Sequence, residues 1–208
     1  MTEVIGQDQL LGDNGPLGRM LSAGRLTSLV LWGPPGTGKT TIARLLAAHT
    51  DMSFSPLSAV FSGVADLRKI FEKAKRQRDV GRGTLLFVDE IHRFNRAQQD
   101  SFLPYVEDGT VVLVGATTEN PSFEINAALL SRTQVMVLNR LGNQALMALL
   151  DRAEELMGAD LPLDDGARQA LCAMADGDGR YLLNMAEEVF ALNADAPIDA
   201  TELAAAVQ

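Results

Sequence analysis

Eight residues, Gly33-Pro34-Pro35-Gly36-Thr37-Gly38-Lys39-Thr40, constrain this chain more than any other stretch. They match the phosphate-loop pattern G-x-x-x-x-G-K-[ST] at every fixed position. An apolar run, Leu29-Val30-Leu31-Trp32, precedes them, and a helical pattern from Thr41 to Ala48 follows. That order demands a strand, a tight loop and a helix, and so an α/β fold. Gly36 and Gly38 let the backbone approach a polyphosphate and turn its N–H groups inward. The following helix aims its positive end at the same anion. Lys39 can reach the β- and γ-phosphates, the Thr40 hydroxyl can bind Mg²⁺, and Thr41 completes the binding segment. The alternative, a plain Gly/Pro turn, does not account for Lys-Thr in register behind a strand.

A second signal lies about fifty residues on. Leu85-Leu86-Phe87-Val88 is a continuous apolar run of the kind found in a parallel strand covered on both faces, and it ends in Asp89-Glu90. Ligands bind beyond the carboxyl ends of such strands. Asp89 is the expected Mg²⁺ partner, and Glu90 is placed to orient and polarise an attacking water. The next apolar run, Val111 to Ala116, leads into Thr117-Thr118-Glu119-Asn120. Thr118 first, and Asn120 second, could hydrogen-bond the lytic water or the γ-phosphate. For each, an ordinary turn or cap residue is the alternative.

Strand and helix patterns alternate through the first two thirds, which predicts a parallel sheet covered by helices. Strands are expected at 28–32, 53–58, 84–88, 111–117 and 133–138. Helices are expected at 39–49, 64–78, 95–107 and 125–130. Beyond about Asn139 only helical patterns follow, near 142–157, 164–175, 180–193 and 199–207. Leu161-Pro162-Leu163-Asp164 reads as a loop entering a helix cap. The expected fold is therefore an α/β nucleotide domain with a five-stranded parallel sheet over residues 1–139, then a small all-helical domain over 140–208.

Net charge is −9, against a generally basic nucleic-acid binder. Residues 68–96 depart from this, with nine basic against four acidic side chains. A solvated helix face accounts for Lys69 to Arg78, but Arg93 and Arg96 directly follow the paired acids. No apolar run approaches the roughly 20 residues that cross a bilayer. The lone Cys172 allows no intrachain disulfide, which suits a cytoplasmic protein, and it is expected in a helical core. With two histidines, His49 and His92, and no Cys/His cluster, a zinc site is not expected. A phosphate-loop kinase or GTPase is disfavoured by the acid pair and by the lack of a guanine-reading Asn-Lys-x-Asp.

Taken in order, the phosphate loop, Asp89-Glu90, Thr117-Thr118, Ser131-Arg132 and Gly177-Asp178-Gly179-Arg180 resemble the AAA+ ATPases. Val88 to Asp100 and Gly115 to Phe123 are similar to one branch, the RarA (MgsA) replication-associated recombination ATPases, which are related to clamp loaders and to the Holliday-junction motor. The likeness runs from about Glu3 to Asn193. It implies ATP and Mg²⁺ as cofactors and hydrolysis of ATP at stalled or damaged replication forks. An ATP-gated module that binds DNA or a replisome partner, with hydrolysis as a reset, is the alternative. The resemblance also implies that Val4-Ile5-Gly6-Gln7 lines the adenine pocket and that Arg132 is a finger acting in trans. Arg180 would be the sensor of a helical lid, and Arg93 and Arg96 would face DNA. Implied partners are DNA forks or junctions, further copies of the chain, single-strand-binding protein and replisome components, with a nucleoid-associated location. RarA proteins carry a C-terminal domain that drives tetramer formation, so the likeness implies the N-terminal AAA+ part alone.

Overall fold

A computed structural model describes residues 4–192 and 196–207. Two short helices, α1 (Asp8–Leu11) and α2 (Pro16–Ser22), precede β1 (Leu29–Trp32). Then come α3 (Lys39–His49), β2 (Ser53–Ser58), α4 (Val64–Asp79) and β3 (Thr84–Asp89). A single 3₁₀ turn, Ile91–Arg93, leads to α5 (Arg96–Asp100), α6 (Leu103–Glu107) and β4 (Val112–Thr117). After α7 (Pro121–Glu124), α8 (Ala127–Leu130) and β5 (Gln134–Val137), the chain is helical: α9 (Asn143–Met157), α10 (Asp165–Ala175), α11 (Gly179–Ala191) and α12 (Ala200–Ala206).

The five strands form one parallel sheet in the order β2-β3-β4-β1-β5. Burial follows that order. The inner strand β3 is apolar and buried from Thr84 to Val88, because helices cover both faces of a parallel sheet. The outer strands are less uniform. Pro56, which cannot donate to a ladder, sits in the edge strand β2, and the other edge strand, β5, leaves Val135 and Val137 exposed. One core layer joins sheet residues such as Leu86 and Leu113 to Phe71 of α4 and to Phe102. Phe71 stacks on Tyr105 at 3.8 Å and meets Phe102 edge-on at 5.8 Å.

The chain divides into two compact units. The α/β unit comprises Asp8–Gly33 and Lys39–Leu138; the helical unit takes the chain from Asn139 onward, the N-terminal segment up to Gln7, and Pro34–Gly38. Both of these short segments had been assigned to the α/β domain from sequence. Within the helical unit, Leu150, Leu171, Leu182 and Leu203 are fully buried. Asp164, Asp178 and Asp199 cap α10, α11 and α12. Arg168 bridges Glu154 at 2.7 Å and Asp151 at 2.6 Å. Its hydrogen bond holds the Glu154 carboxyl below the usual carboxylate range. Cys172 lies buried in α10, where desolvation pushes its thiol up.

Three local expectations change. The single helix expected over 95–107 is two, with Pro104 in the first turn of α6; a proline has no N–H to continue the ladder of α5. The helix expected over 125–130 starts later, because Ile125 is extended and the Asn126 side chain caps α8. Helices α1, α2 and α7 had no sequence expectation, being seven residues or fewer.

Candidate active site

The sheet order places the chemistry. Parallel register aligns Trp32 with Thr117, and Val88 with Gly115. The carboxyl ends of β1, β4 and β3 therefore lie at one edge, with β4 in the middle. Gly33 with Lys39 and Thr40 follows β1, Asp89-Glu90 closes β3, and Thr118 follows β4. β4, which leads to Thr118, thus lies between the strand that leads to the lysine and the strand that ends in the acids.

Lys39 and Thr40 open α3. Lys39 is buried, and its ammonium donates to the Gly33 carbonyl at 2.8 Å. This folds the charge back over the loop it follows. Within Pro34–Gly38, the Thr37 hydroxyl donates to the Pro34 carbonyl at 2.9 Å. Gly36 and Gly38 have φ of +65° and +92°, backbone that L side chains rarely adopt. A side chain at Gly36 would also collide with Asp178, whose Oδ1 lies 1.7 Å from the Cβ position. The Gly36 carbonyl accepts from Gly179 N at 3.2 Å. The loop and the first turn of α11 are thus joined inside the helical unit.

Of the four N-terminal residues expected at the adenine pocket, Gln7 is fully buried while Val4, Ile5 and Gly6 are partly so. Gln7 Nε2 donates to Asn139 O at 2.8 Å and reaches Thr37 O at 3.5 Å. Its Oε1 accepts from Asn139 N at 3.3 Å. One amide ties the N-terminal segment to the loop and to the chain after β5.

Asp89 and Glu90 are half-buried. Glu90 adopts a left-handed backbone, φ 52° and ψ 46°, which costs a non-glycine residue about 1–2 kcal/mol. Such strain persists where surroundings impose it, and it concentrates at functional sites. His92, on the following turn, is half-buried. Its Nδ1 lies 2.9 Å from Thr117 Oγ1 and 3.3 Å from Glu90 Oε2. The sequence gives no signal for this contact beyond the histidine itself, since its partner on β4 is 25 residues away.

Thr118 is half-buried, and Asn120 spends its side-chain oxygen on Ser122 N at 3.0 Å, capping α7. Arg132 donates from Nε to Glu107 Oε1 at 2.5 Å and from Nη1 to Ala128 O at 2.8 Å. Arg180 is exposed. The two acids that could have neutralised it locally are engaged elsewhere: Asp176 pairs with Arg140, and Asp178 accepts from the backbone of Arg180 and Tyr181. Arg93 and Arg96 are both exposed. Gln99, unremarked in the sequence, is buried and fully bonded. It donates to Phe94 O at 2.9 Å and Glu124 O at 3.0 Å, and accepts from Asn126 N at 2.8 Å.

No group of three or more His, Cys, Asp or Glu side chains that could hold a metal occurs among the described residues. Mg²⁺ binds through one or two protein oxygens and the phosphates of its nucleotide. The Thr40 hydroxyl and the Asp89 carboxylate are hard oxygen donors of the right kind.

Known proteins resemble this chain in sequence and fold. The family model "ATPase family associated with various cellular activities (AAA)" matches residues 29–141. Replication-associated recombination protein A of Escherichia coli K12 is 47% identical over 192 residues, covering 90% of this chain and 43% of that protein. "ATPase WRNIP1" of Dictyostelium discoideum is 41% identical, covering 93% of this chain and 22% of that protein. The chain therefore spans less than half the length of these curated relatives. Among solved structures, the Thermotoga maritima RuvB Holliday junction branch migration motor matches with a TM-score of 0.78 at 26% identity, covering 99% of this chain and 70% of that one.

Proposed function

Since the chain belongs to the ATPase family associated with various cellular activities, we propose that it hydrolyses ATP and uses the turnover on DNA in replication-associated recombination. One observation supports the reading: β4, which runs into Thr118, pairs on one side with β1, which leads into the phosphate loop, and on the other with β3, which ends at Asp89. The loop amides and Lys39 hold the β- and γ-phosphates. Thr40 and Asp89 hold Mg²⁺, which when bound offsets charge on the phosphate oxygens. Glu90 accepts a hydrogen bond from a water and aims it at the γ-phosphorus. The new P–O bond forms as the bond to the β–γ bridging oxygen breaks, leaving ADP and phosphate. Thr118 contacts the γ-phosphate or that water, and Arg180 is the candidate sensor arginine of the helical unit. The similarity to replication-associated recombination protein A supports DNA as the target, with Arg93 and Arg96 on its phosphates.

Glu90→Gln tests the core of this. It should bind ATP as the parent does and lose about 10²–10⁴-fold in turnover, the range for a general base. Hydrolysis by Glu90→Gln at the parental rate would remove Glu90 from its assigned role. DNA affinity measured with ATP, ADP and a non-hydrolysable analogue separates a motor from a nucleotide-gated binding module. Movement on DNA that requires turnover belongs to the motor.

A further inference from the structure

The hydrolytic reading leaves His92 unused, yet its imidazole contacts both Glu90 and the end of β4. We propose that His92 is a positioning residue: its Nδ1–H holds the Glu90 carboxylate and the Thr117 hydroxyl in one hydrogen-bonded unit, tying the water-orienting acid to the turn that carries Thr118. This inference rests on the hydrolytic role of Glu90.

The hydrogen-bond inventory selects the tautomer. Thr117 Oγ1 accepts from Glu119 N at 3.0 Å and reaches Glu119 O at 3.3 Å. If Nδ1 carries the proton, it donates to Thr117 Oγ1 and to Glu90 Oε2, and the Thr117 hydroxyl donates to Glu119 O. Every acceptor then meets a donor. If Nδ1 is bare, its lone pair faces the Glu90 carboxylate oxygen at 3.3 Å, and two acceptors meet with no proton between them. The Nδ1–H form is the one that fits.

The backbone supports the same role. Glu90 leaves β3 in a left-handed conformation, so its side chain does not follow the strand's alternation. The half-buried imidazole, on a turn closed by Arg93 N to Glu90 O at 2.8 Å, lies 3.3 Å from the carboxylate it is proposed to hold. Thr117 is fully buried and pairs with Trp32 in the ladder, so the other end of the unit is anchored in the sheet. A change at Thr118 on nucleotide binding would pass to Glu90 through one imidazole.

The test compares His92→Phe, which fills the space without a donor, with His92→Asn, whose amide N–H falls near the Nδ1 position. His92→Phe should lower kcat by about 10- to 100-fold, the range for losing a group that orients a reacting ligand, with KM and nucleotide affinity little changed. His92→Asn should recover most of the rate. A parental kcat in His92→Phe, or equal damage in both variants, overturns the proposal. Nitrogen NMR of the parent chain supplies a readout free of folding effects, with His49→Gln used to assign the two imidazoles. His92 should show a protonated Nδ1; a protonated Nε2 with bare Nδ1 overturns the proposal. Parallel assay of Glu90→Gln keeps the two ideas apart. If that variant is as active as the parent, the hydrolytic reading fails; if it is inactive while His92→Phe is fully active, the positioning role alone fails.

Discussion

Arg93 and Arg96 are where sequence and structure say most about a single kind of side chain. Between them, Phe94 is buried and packs near Phe102, so the two arginines stand exposed on either side of an anchored residue. Desolvated core on one side and free charge on the other is a geometry suited to phosphate contacts. Each contact to duplex DNA adds close to one unit to the slope of log affinity against log salt. Replacing both with Ala should therefore weaken DNA binding across sequences and flatten that slope by about two; an unaltered slope in salt titrations would leave them as solvated charges. These arginines were legible because they follow the paired acids in sequence. Lys39, Asp89 and Glu90 were legible for the same reason, since their chemistry requires fixed spacing from a glycine or a strand end. The bonds of Gln7 are not legible in the sequence, because they run to Asn139, 132 positions away. His92 was seen only as a residue after the acids, because its partner on β4 is defined by strand order, and strand order is not written in any local pattern.

At the scale of elements, alternation of apolar runs and helical patterns located all five strands within a residue or so of their observed ends. The order in which they pair is not readable from the sequence, and it is the pairing that puts β4 between β1 and β3. Short helices were lost for a physical reason: four to seven residues cannot display a helical period, and their ends are fixed by caps and tertiary bonds. The clearest case is the segment from the 3₁₀ turn to α8. Gln99 holds it together with bonds to Phe94, Glu124 and Asn126, and Asn126 in turn caps α8 through Leu129 N at 2.7 Å. Gln99→Leu keeps volume and removes the three bonds that Gln99 itself makes, leaving their backbone partners unpaired at about 1–3 kcal/mol each. A loss of about 2–4 kcal/mol is expected, seen as a lower midpoint in thermal or denaturant unfolding. An unchanged midpoint would mean that water or a shifted backbone replaces the amide.

At the scale of the molecule, Arg132 raises the question of how a site is completed. It precedes β5, and β5 runs parallel to β1 with Leu29 beside Gln134 and Trp32 beside Val137. Arg132 therefore sits at the amino-terminal edge of the sheet, whereas Gly33, Glu90 and Thr118 emerge at the carboxyl-terminal edge. Four strand residues separate the two edges by about 13 Å, and Glu107, at the end of α6, holds the guanidinium on its own side. Under the proposed hydrolytic function, an arginine so placed would reach a γ-phosphate in a neighbouring copy through a head-to-tail contact between chains. Two consequences can be measured. ATPase rate per chain should rise with protein concentration. Arg132→Ala and Glu90→Gln, each inactive alone, should regain activity when mixed, because an interface can then pair an intact Glu90 from one chain with an intact Arg132 from the next. With equal amounts and random assembly, about a quarter of interfaces qualify, so recovery should approach that fraction of the parental rate. A mixture as inactive as its parts, at concentrations where the parent turns over fully, would return Arg132 to the status of a surface arginine paired with Glu107.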